Sequence, residues 1–448
     1  MSASDRPIGL IHATAMVAGI IIGASIFVQP SEINRLVPST PGVLGVWFVA
    51  GLLTLAGALV CAELTSALPQ TGGVFVFLKE TLSPACGFLW GWAMFWSVHS
   101  GIIAASSVIF ARYAGSFLPL DDLGIRLTAI AGVLLLSAVN YAGVRQGSRL
   151  QTIVTAAKLL AIVLILALAF ALGHASAPST TAPAPAAFSL REFLQAVGAA
   201  LFTFGGWHMV TYAAGETRDP QRTIPKSLLI GTLIVTASYI ALNAAYLYLL
   251  PLDRVTSSTR VAADAASMLA GPRGAAVVSA LVILSSLGVL NGVILAGPRM
   301  YFAMACEGLA FGWMGALHPR FHTPHLSIAA QAVWSCVLVA TGTYRDLFTR
   351  VIYTEWLFFA LMTVGLFRLR RMSSYKPVYS VAGYPLVPLL FIVASTAVAF
   401  SLILANPWRA ASGLLLVALG LPVYYFRSRH AAAQSKANPK AFAAHADH

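Results

Sequence analysis

The sequence predicts an all-α integral membrane protein with twelve transmembrane helices, and three observations support this. First, 58% of the 448 residues are hydrophobic and only 10% are charged, whereas a soluble domain carries roughly a quarter charged residues. Second, apolar stretches long enough to cross a bilayer, at about 1.5 Å per residue, recur along the chain. Third, two of these stretches, 8–29 and 193–215, contain no Lys, Arg, Asp or Glu, and small residues interrupt each near its middle.

Apolar windows bounded by Pro, Gly and Arg/Lys clusters define the individual spans. The twelve predicted spans are 8–36, 44–67, 86–113, 124–141, 152–173, 193–215, 228–250, 275–304, 326–341, 347–367, 384–405 and 408–426. An Ala/Pro/Ser/Thr-rich loop follows the fifth span, and spans one and six both carry a break, which fits two inverted five-helix repeats. The predicted division is a cytoplasmic N-tail at 1–7, a first five-helix repeat at 8–173, an external loop at 174–192, a second five-helix repeat at 193–371, helices 11 and 12 at 372–429 and a disordered cytoplasmic tail at 430–448.

The two breaks predict a ligand site. They lie at Gly23-Ala24-Ser25 in the first span and at Gly205-Gly206 in the sixth. Glycine at mid-depth weakens a helix where lipid offers the backbone no other partner, so such a break is tolerated only where it lines a protein cavity. A pair of breaks in corresponding positions of two repeats indicates a transporter's substrate site. The alternative is that the glycines only allow close helix packing.

Half-helix ends suit a zwitterionic ligand. Free N–H groups around Ser25 to Phe27, at the start of the outer half of helix 1, can bind a carboxylate. Free C=O groups around Ile20 to Ile22 and around Leu201 to Phe204 can accept hydrogen bonds from an ammonium group. Glycine leaves room for a ligand to approach the backbone closely.

The net charge of +13 is explained by topology. Of the 28 Lys and Arg residues, 17 fall in or next to predicted inner segments, ten in or next to outer ones, and Lys158 lies within span five. Enrichment of positive charge inside predicts cytoplasmic termini and a multi-pass protein of the plasma (inner) membrane. It also argues against a nucleic-acid footprint, and the lipid bilayer is the expected partner.

Enzyme and channel functions are disfavoured. The sequence contains no HExxH, Gly-x-Ser-x-Gly or Walker A pattern, and the four cysteines follow no metal-ligand spacing. We therefore expect no catalytic residue, metal or cofactor. Paired broken helices also favour an occluded site over an open pore. A membrane enzyme or a sensor that does not transport stays as the alternative from a different class.

Several motifs resemble the amino acid–polyamine–organocation superfamily, and particularly its L-type amino acid transporter branch, bacterial type. They lie, in the family's order, in the first, second and sixth spans and in the loop after the sixth. The motifs are Ile22-Gly23-Ala24-Ser25-Ile26-Phe27-Val28, Ala62-Glu63-Leu64, Pro69-Gln70-Thr71-Gly72-Gly73, Phe202-Thr203-Phe204-Gly205-Gly206-Trp207, and Glu216 with Asp219-Pro220-Gln221-Arg222-Thr223-Ile224-Pro225. One departure is Ser25, where the family usually has a second glycine. A serine hydroxyl there could bind the substrate carboxylate or narrow the pocket.

The resemblance implies the LeuT-type fold and sodium-independent exchange of L-α-amino acids, most simply neutral ones, by alternating access. It implies a substrate site at the two breaks, with weaker candidates in spans eight and ten. The implied substrate-binding residues are Ile22, Gly23, Ala24, Ser25, Ile26, Phe202, Thr203, Phe204, Gly205, Gly206, Asn291 and Trp356. Proton-coupled uptake, and exchange of cationic amino acids or amines, stay open as alternatives.

The resemblance also implies three mechanistic roles. Lys158 would place its ammonium against the unwound part of helix 1, where sodium-driven relatives hold a cation; the alternative is a lysine that snorkels to the interface. Tyr239 would cooperate with Lys158 or only pack its ring. Phe202 would close over bound substrate.

Ionisable groups within or near the spans have structural alternatives. Glu63 is expected to pair with an arginine on the cytoplasmic side, and Glu355 either to find a structural partner in the outer half or to carry a proton or attract a cationic side chain. His208 is expected to be neutral and hydrogen-bonded, although it could titrate near neutral pH. Animal L-type carriers join a heavy chain through a cysteine between spans three and four. The corresponding loop Gly115–Leu123 has no cysteine, so no disulfide-linked heavy chain is expected.

Overall fold

The structure is a computed structural model that describes residues 8–70, 72–142, 147–172, 188–321, 323–342, 344–373 and 375–427. The predicted N-tail, most of the external loop and the C-terminal tail lie outside the described residues. The described part of the chain is all helical apart from connecting segments and one isolated bridge between Ile8 and Thr217.

Helices α1–α16 follow one another along the chain. Their bounds are α1 Leu10–Ile21, α2 Gln29–Leu36, α3 Thr40–Ala67, α4 Val74–Thr81, α5 Pro84–Ala93, α6 His99–Ala114, α7 Asp122–Tyr141, α8 Gly147–Leu172, α9 Leu190–Thr203, α10 Pro220–Leu249, α11 Leu252–Ser257, α12 Val261–Cys306, α13 His325–Thr341, α14 Tyr344–Arg370, α15 Leu386–Ala405 and α16 Pro407–Ala418. Within the described residues, nine helical segments are long and apolar enough to cross a membrane, and three shorter apolar helices lie at Leu10–Ile21, Ala156–Ala171 and His325–Thr341. Together they coincide with the twelve predicted spans, so the predicted fold class is confirmed.

Corresponding helices of the two repeats pack against each other. Three such pairs are α3 with α10, α6 with α12 and α7 with α13, which are spans two and seven, three and eight, and four and nine. The 3-10 segment Trp207–Glu216 of helix 6 likewise packs on α1. This pairing is what an inverted repeat produces, and it brings the two broken helices together at the centre of the bundle.

Local sequence sets several helix ends. Ser39 caps α3 by accepting a hydrogen bond from the Gly42 amide at 3.2 Å. Ser189 and Glu192 form a capping box at the start of α9. Each cap satisfies amide groups that have no partner inside the helix. The helix that leads into the second break is therefore fixed at its far end.

Two long spans are less regular than their apolar patterns suggest. Residues Met94–Val98 between α5 and α6 form a π-helical turn. Helix α12 has non-helical backbone at Ala270 and Gly271, and Gly271 has a φ of 60°. Residues 261–269 therefore form a separate helical segment before span eight.

One buried ion pair closes the end of the bundle at which α1 begins, here called the terminal face. The Glu63 carboxylate, fully buried, accepts from Arg370 Nε at 2.7 Å and from Arg370 Nη2 at 2.6 Å. It also accepts from the Tyr375 hydroxyl at 3.1 Å and from the Val381 amide at 2.6 Å. Burial, and then the nearby Glu63 charge, raise the pKa of the Tyr375 phenol. The expected pairing of Glu63 with an arginine is confirmed.

Candidate functional site

Helix 1 breaks between α1 and α2. The Ile22 amide donates to Ala18 O at 2.8 Å and the Gly23 amide to Ile21 O at 2.6 Å, after which a single 3-10 turn spans Ser25–Phe27. Within the described residues, the amides of Ala24, Ser25 and Ile26 have no acceptor. Three adjacent unpaired N–H groups can bind an anion such as a carboxylate.

Lys158 of α8 reaches the carbonyl side of this break. Its side chain is only 4% exposed, and Nζ donates to Ile22 O at 3.2 Å. The ammonium is therefore directed to the protein interior, which contradicts the snorkelling alternative. Lys158 also borders a small cavity; the other residues around it are Phe27, Ala157, Ala161, Leu281, Leu284 and Ser285.

Tyr239 of α10 links the two breaks. Its buried hydroxyl lies 2.8 Å from Ile21 O and 3.2 Å from Thr203 O. One hydroxyl hydrogen serves both carbonyls, so the two bonds are shared or alternate. Because a single oxygen reaches both, the carbonyl ends of α1 and α9 lie side by side.

Helix 6 breaks where α9 ends at Thr203. Gly206 has a φ of 90°, in the left-handed region, and a Cβ there would lie 2.5 Å from Ile20 Cγ2. Glycine is required here both by the backbone and by the contact with α1. A 3-10 helix, Trp207–Glu216, continues the span. The Thr203 hydroxyl is buried and has no hydrogen-bond partner among the described residues.

A cluster of three aromatic rings packs together at the helix 6 break. The Phe204 ring lies 5.0 Å from Tyr239 and 6.3 Å from Trp47, and the Trp47 and Tyr239 rings are 5.6 Å apart, measured between centroids. Phe202, two residues before Phe204 on the same helix, is also buried, at 7% exposed. Phe204 and Tyr239 are held in place by these ring contacts.

Two predicted pocket residues have their described contacts elsewhere. Asn291 of α12 accepts from Asn140 Nδ2 of α7 at 2.8 Å, which joins two helices of different repeats. Trp356 of α14 packs its ring on Phe359 and on Phe391 of α15. Both side chains therefore contact helices outside the two breaks.

Protein closes the site on both sides. On the terminal face, the Arg218 amide donates to Ile8 O at 2.9 Å, and the Arg222 and Asp219 side chains lie 3.9 Å apart. On the opposite side, the Tyr113 hydroxyl of α6 donates to Phe27 O at 2.7 Å. Ten of the twelve predicted substrate-binding residues are buried, and the other two, Gly205 and Asn291, are half-buried. The conformation is occluded.

His208 and Glu355 differ from expectation. The expected hydrogen-bonded histidine is wrong within the described residues, because neither ring nitrogen of His208 has a hydrogen-bond partner. Instead, His208 Nδ1 lies 3.7 Å from Glu355 Oε1, and both side chains are buried. Nothing in the linear sequence pairs these distant residues; only the approach of helix 6 to α14 does.

The chain matches a known protein family and is similar to several known proteins. The family model described as amino acid permease matches residues 8–423. The chain is similar to the serine/threonine exchanger SteT of Bacillus subtilis, with 32% identity over 94% of this chain and 96% of that protein. It is also similar to the human large neutral amino acids transporter small subunit 2, with 29% identity over 94% of this chain and 80% of the relative. The human cystine/glutamate transporter is 26% identical over 94% of this chain and 85% of its own length.

Proposed function

Because the chain belongs to the amino acid permease family and is a multi-pass membrane protein of the amino acid–polyamine–organocation superfamily, we propose that it exchanges L-α-amino acids by alternating access. The substrates would be neutral ones, and the exchange would be independent of sodium. The similar proteins are all named as transporters or exchangers of amino acids. The substrates in their names range from serine and threonine to cystine and glutamate.

The observation that carries this proposal is the position of the Tyr239 hydroxyl between Ile21 O and Thr203 O, within 3.2 Å of each. It puts both helix discontinuities at one place in the bundle. Unpaired amides lie on one side of the helix 1 break, and the carbonyl end of a helix lies at each of the two breaks. A small molecule with a carboxylate and an ammonium group on adjacent atoms matches that arrangement.

In the proposed complex, the substrate carboxylate binds the free amides of Ala24 to Ile26, and the Ser25 hydroxyl lies beside it. The ammonium group binds carbonyls at the end of α9 and the unpartnered Thr203 hydroxyl, since Tyr239 and Lys158 already donate to Ile21 and Ile22. Phe202 covers the substrate. The full proposed set stays Ile22, Gly23, Ala24, Ser25, Ile26, Phe202, Thr203, Phe204, Gly205 and Gly206, with Asn291 and Trp356 as the more distant members.

Lys158 takes the place of a bound cation in this proposal. Its ammonium donates to a freed carbonyl of helix 1, which supplies positive charge at the break without an ion from solution. The charge is tethered, so it stays with the protein through the cycle. Sodium coupling is therefore not needed to stabilise the unwound segment.

Alternating access would come from rocking of spans one, two, six and seven against the rest. The contact between Tyr113 and Phe27 joins span three to span one, so it would open in one phase of this cycle. We propose further that the terminal face is cytoplasmic, that the protein lies in the plasma membrane, and that no heavy chain is disulfide-linked to it, because the loop 115–123 lacks cysteine. The domain division into repeats at 8–173 and 193–371 belongs to the same proposal.

Counterflow in proteoliposomes tests the function. Vesicles are loaded with unlabelled serine, leucine, arginine or agmatine and diluted into radiolabelled leucine or serine, with sodium present or replaced by choline. Neutral internal substrates should accelerate uptake equally in both salts. Uptake that needs sodium, or that no internal amino acid accelerates, would contradict exchange of the kind proposed.

A further inference from the structure

A second polar cluster surrounds the first turn of the 3-10 half of helix 6. His208 lies at its centre, fully buried, with its ring centroid 5.7 Å from Trp90, 5.6 Å from Tyr212 and 5.1 Å from Phe359. The Glu355 carboxylate of α14, 1% exposed, lies 3.7 Å from His208 Nδ1. We call His208 and Glu355 the His–Glu pair.

Polar atoms at the centre of this cluster lack protein partners. Among the described residues, both nitrogens of His208 and Oε1 of Glu355 are buried without a hydrogen bond. The Tyr212 hydroxyl and the Trp90 side chain lie next to each other beside this pair. A buried polar group left unpaired costs about 1–3 kcal/mol, and more if it is charged. Such unpaired atoms in one place indicate that something from outside the chain satisfies them.

Within the described residues, the helices around the His–Glu pair bring no positively charged side chain into contact with it. Tyr212 shares the 3-10 segment, Cys61 of α3 lies next to it, and α6 contributes His99, whose Nδ1 lies 3.1 Å from the Tyr301 hydroxyl of α12. Helix α15 carries no titratable side chain. Within the described residues, no Lys or Arg is bonded to the pair, and Glu355 is its one carboxylate.

We propose, building on the exchange function above, that the His–Glu pair is a proton-binding site and that the occluded carrier forms only with one proton on it. With one proton the pair is neutral overall, whether neutral His208 faces protonated Glu355 or protonated His208 faces the carboxylate. Without that proton, a lone negative charge would be buried among aromatic rings. An uncompensated buried charge is far costlier than a neutral buried pair.

The location of the pair couples the proton to transport. His208 belongs to helix 6, which the proposed cycle moves, and Glu355 belongs to α14, which stays with the rest. Opening the site on either side would alter their separation and admit water, so the carboxylate could release its proton to that side. The proton is taken up from water by Glu355, shared with His208 Nδ1 and returned to water, and no covalent bond other than O–H or N–H changes.

The experiment measures exchange at equal pH inside and outside the vesicles, from about pH 5.5 to about pH 9. Wild-type exchange should fall at the alkaline end, approaching about tenfold per pH unit once the pair loses its proton. Glu355→Gln keeps a neutral hydrogen-bonding group, so its exchange should persist and change less than about twofold over the same range. Glu307→Gln, at an exposed carboxylate that pairs with Lys79, is the matched control and should keep the wild-type decline.

His208→Phe separates a proton site from a packing defect. Phenylalanine keeps the aromatic contacts and leaves Glu355 without its donor, so the alkaline decline should remain and move to higher pH. Exchange that is independent of pH in the wild type, or a Glu355→Gln carrier that keeps the wild-type decline, would overturn the proton site. Absence of exchange by the wild type at every pH would instead overturn the proposed function.

Discussion

The carbonyl side of the helix 1 break and the 3-10 half of helix 6 differ in how their polar groups are satisfied. At helix 1, the freed carbonyls of Ile21 and Ile22 receive hydrogen bonds from Tyr239 and Lys158. Around the 3-10 half of helix 6, His208 and Glu355 face each other with unpaired atoms among the described residues. A break that must persist through the cycle has its partners built into the protein. The His–Glu pair, whose partner we propose to be a transferable proton, has no such partner built into the described part of the protein.

The largest effect should come from removing the built-in partner of helix 1. Lys158→Met deletes the ammonium while keeping an unbranched apolar side chain, so Ile22 O loses a charge-assisted bond of about 1.5–3 kcal/mol. Exchange should fall by about tenfold to about a hundredfold. Initial counterflow rates measure this, with Lys226→Met as the matched control, because Lys226 is exposed on α10. Wild-type kinetics on both faces for Lys158→Met would remove the role assigned to this side chain.

Gly206 tests whether helix 6 needs its left-handed turn. An alanine there costs roughly 1–2 kcal/mol in backbone energy, before its Cβ meets Ile20. Gly206→Ala should reduce the maximal exchange rate by about tenfold and lower the melting temperature. Gly292→Ala provides the comparison, since a Cβ at Gly292 meets nothing within 4 Å and the residue lies inside α12. Equal effects of the two substitutions would mean that the break has no special requirement for glycine.

Substitution of Tyr239 tests the link between the two breaks. Tyr239→Phe removes one hydroxyl shared by Ile21 O and Thr203 O, a loss of about 1 kcal/mol. The apparent substrate affinity should fall by about fivefold. Tyr246→Phe makes the same change two turns further along α10, where the buried hydroxyl has no partner within the described residues. It should leave affinity unchanged, and an equal loss in both variants would assign the effect to packing alone.

Ser25 should give the smallest effect. Its side chain is buried beside the break, and the neighbouring backbone amides supply the proposed anion site. Ser25→Gly restores the residue usual in the resembling family and keeps those amides. Competition assays should show changes within about threefold for serine, with the preference moving towards larger neutral side chains. Complete loss of serine exchange would mean that the hydroxyl, rather than the backbone, holds the substrate.

The sequence predicted the fold well because lipid restricts the possible structures. Long apolar windows have to be helices in a bilayer, so the twelve spans and both breaks followed from composition and glycine position. Glu63 could be assigned an arginine because a carboxylate near the end of a span needs a charge partner. The partner's identity, Arg370, depends on how the end of α14 packs against α3.

Contacts across the bundle were beyond prediction. The bond between Asn291 and Asn140 and the approach of His208 to Glu355 join residues more than a hundred positions apart. Periodicity shows which helices are buried, but it does not fix the rotation of one helix against another. The left-handed backbone of Gly206 could not be distinguished from that of Gly205, because both are glycine in the same dipeptide.

A structure with a bound L-amino acid, determined by electron cryomicroscopy of the full chain in lipid nanodiscs, tests the central claim most directly. We expect the substrate carboxylate to lie within hydrogen-bond distance of the amides of Ala24 to Ile26, and the ammonium group at the end of α9. Substrate density away from both breaks, or helices 1 and 6 wound continuously through Gly23 and Gly206, would contradict the account.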